Sequence, residues 1–293
     1  MLMTLEQLRV FVATADDLSM TRAAERLNLT QPAISAAIAA LEARHAIRLF
    51  NRIGRRLELT ETGRLFLHEA REIIARVNHA QRRLHDLSDL LSGEVRLAAS
   101  QTVATYWLPP RMARFAAAYR GITLPLVVGN TAQTVDAVLS GRADIGVVEG
   151  NVDEPALVSR RVGGDRLGLF AAPQHPLAGR PLQAQDLRGA VWVLREKGSG
   201  TRDHLAASLA AAGIAISDLD VRLELPSNGA VLEAVAAGGL VTAVSNMAVT
   251  SRLASGSLQG LDYPLAQRDF LMLTHSAREP GHATQAFIAR LLE

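Results

Sequence analysis

Apolar positions at helical spacing open the chain. In TLEQLRVFVATAD, Leu8, Phe11 and Val12 share one face, and Thr4 and Gln7 stand at capping-box spacing, so the pattern predicts a helix from Thr4 to about Ala15. The next stretch, Ser19 to Glu42 (SMTRAAERLNLTQPAISAAIAALE), holds two short amphipathic helices with almost no turn between them. Ser19 suits the cap of the first, with Ala23, Ala24 and Leu27 inward. Thr30 suits the cap of the second, Pro32 is tolerated in its first turn, and Ile34, Ile38 and Leu41 mark its buried stripe. Asn28 falls where a tight corner needs positive φ, and Ala24 leaves room for the helices to cross. This is a helix-turn-helix, a unit that reads DNA with its second helix. An αα-hairpin in a helical core is the plain alternative. The next segment favours DNA: FNRIGRRLELT, residues 50–60, alternates as a β-hairpin with Arg52, Gly54, Arg55 and Arg56 at its tip, a wing suited to phosphates.

From Thr60 a long helix is predicted to about Leu91. Phe66, Ala70, Ile73, Val77, Ala80, Leu84, Leu87 and Leu91 alternate steps of four and three, an a/d seam over roughly four heptads. So narrow a stripe suits pairing with a second copy better than packing on its own domain. Ser92-Gly93 ends the helix, and short apolar strands then alternate with helices. Strands are expected at Val95–Ala99, Ile122–Val128, Ile145–Val148, Leu167–Ala171, Val191–Leu194, Val221–Leu225, Leu240–Val244 and Phe270–Thr274. Helices are expected beyond Pro109–Pro110, from Thr131 to Ser140, Thr201 to Ala212, Gly229 to Ala237 and Ala283 to Leu292, an α/β organisation with parallel strands.

In such sheets ligands bind beyond the carboxyl ends of strands, where helix N-termini point. Four of these junctions are polar: Ser100-Gln101-Thr102, Gly129-Asn130-Thr131, Gly198-Ser199-Gly200-Thr201-Arg202 and Ser227-Asn228-Gly229. Each offers hydroxyls and backbone N–H groups to an anion, and each taken alone also reads as a helix cap. Arg202 adds a full charge unless it pairs with Glu196 or Asp203. Glu149, at the end of Ile145–Val148, argues instead for a ligand with a donor group.

Composition narrows the class. With 293 residues, 48% hydrophobic and 20% charged, the chain can build two or three domain cores. It has no cysteine, hence no disulfide framework and no thiolate metal site, which suits a reducing cytoplasm. No basic-then-apolar signal segment opens it. The most membrane-like window, Ala230 to Val249, is broken by Glu233, Gly238, Gly239 and Asn246, so no membrane association is expected. A net charge of +2 is uninformative; nine arginines face seven acids over residues 1–65, and the placement of Arg52, Arg55 and Arg56 is what counts. No enzyme motif is found: no G-x-S-x-G elbow, phosphate loop or G-x-G-x-x-G after a strand. The eight histidines are scattered, and His79 and His85 do not share a helix face as metal ligands would, so neither metal nor cofactor is expected. A solute-binding protein and a nucleoid-type DNA packager are the competing classes. The helix-turn-helix opposes the first and the α/β region opposes the second.

The segments TLEQLRVFVATAD, RAAERLNLTQPAISAAIAALE, LFNR and GRRLELTETG resemble the DNA-binding domain of the LysR-type transcriptional regulators, and the likeness continues through the C-terminal region. It implies a winged helix-turn-helix over residues 1–60, a coiled-coil dimerisation linker over 61–92 and a two-lobed, periplasmic-binding-protein-like (type II) α/β effector domain over 93–293. The lobes would comprise about 93–164 with 268–293, and about 165–267, with crossings near Gly163–Asp165 and Ala266–Arg268. The family binds small-molecule effectors between the lobes through loops that match Ser100–Thr102 and Thr201, and REKGSGTR is typical of a branch that includes sulfur-metabolism and related anion sensors. A small anionic or carboxylate effector is therefore expected, with Ser100, Gln101, Thr102, Asn130, Thr131, Glu149, Ser199, Gly200, Thr201, Arg202 and Asn228 around it. The candidate DNA contacts are Ser19, Thr21, Arg22, Thr30, Gln31, Pro32, Ser35, Ala36, Arg52, Arg55 and Arg56. One departure matters: where the family often places Arg and Gln, this chain has Ala36, Ala37 and Ala39, so base reading falls mostly to Gln31 and Ser35. Partners implied are double-stranded promoter DNA, a second copy (commonly a tetramer) and RNA polymerase, in the cytoplasm.

Overall fold

A computed structural model of the protein describes residues 3–53, 56–86 and 92–293. The chain divides into two compact units, residues 1–88 with 140–142 and residues 89–139 with 143–293.

In the first unit local capping sets the start of each helix. Helix α1 (Leu5–Asp17) starts at Thr4, whose Oγ1 accepts from the Gln7 N–H at 3.2 Å while Gln7 Oε1 accepts from the Thr4 N–H at 3.1 Å. Helix α2 (Met20–Leu27) starts at Ser19 and ends at Asn28, in the left-handed region at φ 53°. Helix α3 (Gln31–His45) starts at Thr30, whose hydroxyl accepts from Ala33 N–H at 3.4 Å. Strands β1 (Phe50–Ile53) and β2 (Arg56–Leu59) pair antiparallel, Phe50 opposite Leu59. Helix α4 (Glu61–Asp86) follows, its first turn capped by Thr60 Oγ1 on Gly63 N–H at 2.9 Å. A Cβ on Gly63 would come within 2.2 Å of the Leu49 carbonyl, so only glycine lets α4 start this close to the wing. Glu42 joins α3 to the wing by accepting from the Leu49 and Phe50 N–H groups at 2.7 and 3.1 Å. The core gathers Leu8, Phe11, Ile34, Ile38, Leu41, Leu49 and Ala70, with the Phe11 ring 5.5 Å from Phe50 and 4.9 Å from Phe66.

That packing changes the reading of the seam. Phe66 and Ala70 face the core of their own unit, because Phe11 offers them apolar surface there. Ile73 (38% exposed) and Ala80 are exposed and Val77 is half-buried. The Leu84 side chain, and Leu87 and Leu91, lie outside the described residues.

The second unit contains β3 (Gly93–Glu94), β4 (Leu97–Ser100), a π-helical turn (Val103–Trp107), α5 (Pro109–Ala118), β5 (Ile122–Thr123), β6 (Leu126–Gly129), α6 (Thr131–Leu139), β7 (Ile145–Glu149), β8 (Leu157–Ala171), α7 (Ala184–Gly189), β9 (Val191–Arg195) and α8 (Gly200–Ala210). A 3-10 turn (Ile216–Asp218), β10 (Asp220–Leu225), α9 (Asn228–Ala236), β11 (Thr242–Ser245), α10 (Asn246–Ala254), β12 (Gln259–Leu261), β13 (Gln267–His275) and α11 (His282–Leu292) complete it. The main sheet runs β11-β8-β13-β7-β4-β6, with β12 also on β8. Strand β4 is parallel to β6 and β7, and β9 to β10, whereas β13 runs antiparallel to both β7 and β8.

Strand β8 is much longer than the expected Leu167–Ala171. Its first part pairs with β13 from Leu157↔His275 to Arg166↔Gln267, and its last part pairs with β11 and β12. Two cores result. Val95, Leu97, Trp107, Phe115, Ile145, Phe270 and Phe287 form one, and Leu169, Trp192, Leu194, Leu205, Leu209 and Val241 form the other. The chain passes between them at Gly163–Asp165 and again at β13, where Gly164 lies so near Arg268 that a Cβ would meet its carbonyl at 2.6 Å. The expected strand Ile122–Val128 is two short ones, β5 and β6, since Pro125 between them has no N–H to donate. Helices α7 and α10 were not anticipated.

Candidate DNA-binding surface and effector cleft

On the first unit most of the expected DNA contacts are exposed. Thr21, Arg22, Thr30, Gln31, Pro32, Ala36, Arg52 and Arg56 are exposed, and Ser19 and Ser35 are half-buried. Ser19 and Thr30 spend their hydroxyls as helix caps. The Arg22 guanidinium donates to the Asp17 carbonyl at 2.5 Å, which ties it to the end of α1. The Gln31 Nε2 and Arg52 Nη2 both approach the Met20 sulfur, at 4.0 and 3.5 Å, so the start of α3 and the first wing strand flank one side chain of α2. Gly54 and Arg55 lie outside the described residues.

In the second unit the four polar junctions converge, and they are buried. Strand β4 ends in Ser100, β7 in Glu149, and β9 in Arg195; the starts of α6, α8 and α9 bring Thr131, Thr201 and Asn228. Ser100, Thr102, Asn130, Thr131, Glu149, Ser199, Thr201 and Asn228 are all buried. Six of them, Ser100, Thr102, Thr131, Glu149, Thr201 and Asn228, bond one another, whereas Asn130 bonds Gln133 and Glu196. Thr131 Oγ1 accepts from the Gly200 N–H at 3.1 Å and donates to the Glu149 carbonyl at 3.3 Å. The Ala132 N–H donates to the Gly198 carbonyl at 3.1 Å. Asn228 Nδ2 donates to Thr102 Oγ1 at 3.2 Å, and Gln101 accepts from the Asn228 N–H at 3.0 Å while donating to the Pro226 carbonyl at 2.8 Å. Thr102 therefore opens a π-helical turn with its hydroxyl engaged by Asn228 rather than capping.

Two buried arginines supply the charge, and sequence reasoning missed both. Arg268 (3% exposed) holds Asp165 with two bonds of 2.5 and 2.9 Å, donates to Thr201 Oγ1 at 3.0 Å, and lies 3.6 Å from Glu149. Arg195 (3% exposed) pairs with Glu196 at 2.7 and 2.9 Å and donates to Asn228 Oδ1 at 2.6 Å. Burial alone would raise the Glu196 carboxyl. The Arg195 hydrogen bond and charge, with a bond from Asn130 Nδ2, hold it below the ordinary carboxylate value. The available signal was an arginine abutting a buried apolar run, in VWVLR and in QRDF.

Glu149, 1% exposed, sits at the centre. One carboxylate oxygen accepts from the Ser100 hydroxyl and the other from Thr201 Oγ1 at 3.3 Å. Arg202 corrects an expectation: it donates to Glu224 on β10 and to the Arg195 carbonyl at 2.8 Å, so its charge is drawn away from the cleft. Among the described residues no group of three or more His, Asp or Glu is placed to hold a metal ion, and no helix is long and apolar enough to cross a membrane.

Residues 5–64 match the bacterial regulatory helix-turn-helix protein, lysR family, and residues 88–293 match the LysR substrate binding domain. The chain belongs to the LysR family of transcriptional regulators. It is 32% identical over 287 residues to the uncharacterized HTH-type transcriptional regulator YeiE of Escherichia coli, covering 97% of this chain and 96% of that one. The regulatory domain of Synechocystis CcmR in complex with 2-PG superposes with a TM-score of 0.63 at 27% identity, covering 69% of this chain and 96% of that one. Full-length CbnR in complex with its target DNA gives a TM-score of 0.66 at 22% identity over 99% of this chain and 98% of that one. This LysR-type protein is thus a DNA-binding transcriptional regulator with an effector-binding domain, in a family of regulators rather than enzymes.

Proposed function

We propose that this LysR-type regulator responds to a small anion, an inorganic oxyanion or a carboxylate, bound between the two cores of its effector domain. The observation that carries the reading is the convergence of donors: the Ser100, Thr102, Thr131 and Thr201 hydroxyls, the start of α8 and two buried guanidinium groups meet in one cleft. The 2-PG complex of CcmR supports a small ligand in a domain of this fold. Glu149 is met by Ser100, Thr201 and Arg268, so it does not stand as an open acceptor for a cationic ligand. Binding favours one arrangement of the two cores, and through the linker shifts the population of DNA-bound forms.

In this reading the chain divides into residues 1–60, 61–92 and 93–293, supported by the start of α4 at Glu61 and of β3 at Gly93. DNA is read by α3, with Gln31 and Ser35 on base edges and Pro32 and Ala36 as apolar contacts. Ser19, Thr21, Arg22, Thr30 and the wing arginines Arg52, Arg55 and Arg56 hold phosphates. Two copies pair along α4 through Ile73, Val77 and Ala80, a dimer that doubles to a tetramer on promoter DNA and meets RNA polymerase there, in the cytoplasm. The test is operator binding titrated with sulfate, phosphate, acetate, citrate, an amine and a sugar, on wild type, Thr102→Ala and Thr201→Ala. An anion should change operator affinity in the wild type and lose its effect in both variants. Response to the amine alone, or an anion effect indifferent to Thr102 and Thr201, would refute the reading.

A further inference from the structure

Glu149 belongs to the wall of the cleft, yet its carboxylate uses the donors that an anionic effector needs. One oxygen takes the Ser100 hydroxyl on the same wall, and the other takes Thr201 Oγ1 at 3.3 Å on the opposite one. Arg268 reaches Glu149 at 3.6 Å, but its two strong bonds go to Asp165. The buried cluster of Glu149, Asp165 and Arg268 therefore holds two carboxylates against one guanidinium. A second anion entering beside Glu149 would meet an uncompensated negative charge in a low-dielectric site, which is costly. Replacing the Glu149 carboxylate restores the balance: Asp165 neutralises Arg268, and Ser100 and Thr201 become free to donate.

We propose that Glu149 is a tethered surrogate for the effector anion, a carboxylate from the chain itself that closes the cleft and that the effector must displace. The inference rests on the anionic reading above and adds the regulation of that site. Its chemistry sets the ligand class, since a competitor for these donors must be a carboxylate or an oxyanion small enough to span Ser100 to Thr201. It also sets affinity. A ligand that binds only when a competing internal contact is released has its affinity lowered by the fraction of molecules in which that contact is open. Glu149→Gln removes the charge and leaves Arg268 paired with Asp165, so the fold has no orphaned guanidinium.

The experiment is calorimetry of full-length wild type, Glu149→Gln, Glu149→Asp and the double variant Glu149→Gln/Thr201→Ala with sulfate, phosphate, acetate and citrate. At least one of these anions should bind Glu149→Gln about tenfold tighter than wild type or more, and the double variant should lose the gain. Glu149→Asp keeps the charge but draws it back by one methylene from Ser100 and Thr201, so it should give a smaller gain; it also serves where the Gln variant folds poorly. An anion that binds wild type and Glu149→Gln equally, and is weakened by the added Thr201→Ala, would leave the effector reading standing and overturn the surrogate role. Failure of all four anions to bind any variant overturns both.

Discussion

Gly200→Ala isolates the closure of the cleft. Gly200 is the first residue of α8, and a Cβ there would lie 2.2 Å from the Glu149 carbonyl oxygen and 2.7 Å from Thr131 Oγ1. Close C···O contacts sit near about 3.3 Å, so the end of β7 and the start of α8 must part by about 1 Å. The Gly200 N–H to Thr131 bond, now 3.1 Å, and the Thr201 to Glu149 bond, now 3.3 Å, would both pass out of range. Overpacking of this kind costs about 1–3 kcal/mol. An alanine at the start of a helix with the cleft open meets no such clash and gains about 0.4–1 kcal/mol through the unfolded chain. The closed arrangement is thus disfavoured against the open one by about 2 kcal/mol, a factor of roughly 30. Hydrogen exchange reads this directly. The Ala132 amide, bonded across the cleft to the Gly198 carbonyl, should exchange roughly 30-fold faster in the variant. Gly229, near the start of α9, has nothing within 4 Å of its Cβ position and is the control; Gly229→Ala should leave this amide unchanged. Equal exchange in wild type and Gly200→Ala would show that this contact does not hold the cleft shut.

Three further outcomes are expected. Arg52→Ala and Arg56→Ala should each weaken specific and random DNA binding alike and reduce the slope of log K against log salt by roughly one; an unchanged slope with altered base preference would remove these residues from the phosphates. Val77→Asp should shrink the assembly seen by sedimentation without lowering the melting temperature of the first unit, whereas Phe66→Ala, which strips the ring packed on Phe11, should lower that temperature and leave the assembly intact; the reverse pattern would refute the division of the seam. Burial lowers the His175 pKa, and its Nδ1 accepts from the Leu177 N–H at 3.2 Å, so the fold favours neutral imidazole. Its stabilising contribution is present above the unfolded pKa of about 6.5 and lost as pH falls through the depressed value; denaturation midpoints of wild type should drop more between about pH 7 and pH 5 than those of His175→Asn, and parallel curves would count against it.

The first unit was legible because its signals are local. Thr4 with Gln7, Ser19, Asn28 and Thr30 each act within three or four residues of themselves, and Ile34, Ile38 and Leu41 need only a helix to fall on one face. Strand β8 was not. Its sequence, LVSRRVGGDRLGLFA, has neither alternation nor an apolar run until its end, and it is extended because β13 lines one part and β11 and β12 the other. The seam was legible as a period but not as a division of labour: Phe66 and Ile73 look alike in a heptad, and only Phe11, far back in the chain, draws Phe66 inward.

The cleft shows the same limit from the side of charge. The junctions after β4, β6, β9 and β10 could be found because hydroxyls and glycines at strand ends are a pattern. Their partners could not, since the bonds that define the site join residues far apart: Arg268 to Asp165 across 103 positions, Arg195 to Asn228 across 33, Glu149 to Thr201 across 52. A buried charge must be compensated, so the first question to ask of Glu149 is which donors of the chain meet it, before which ligand. These partners reverse the role of the carboxylate. Unpaired, it would select a ligand with a positive or donor group; held by Ser100, Thr201 and Arg268, it would compete with an anion, on the reading proposed above, for the same three groups. Arg202 moves in the opposite direction. The sequence puts it beside the donors, but Glu224 on β10 takes its guanidinium, and the buried guanidinium groups at the cleft are those of Arg195 and Arg268. Both of those already carry a carboxylate, Glu196 and Asp165, so on the reading proposed above an anionic effector would exchange with Glu149 rather than fill a positive hole.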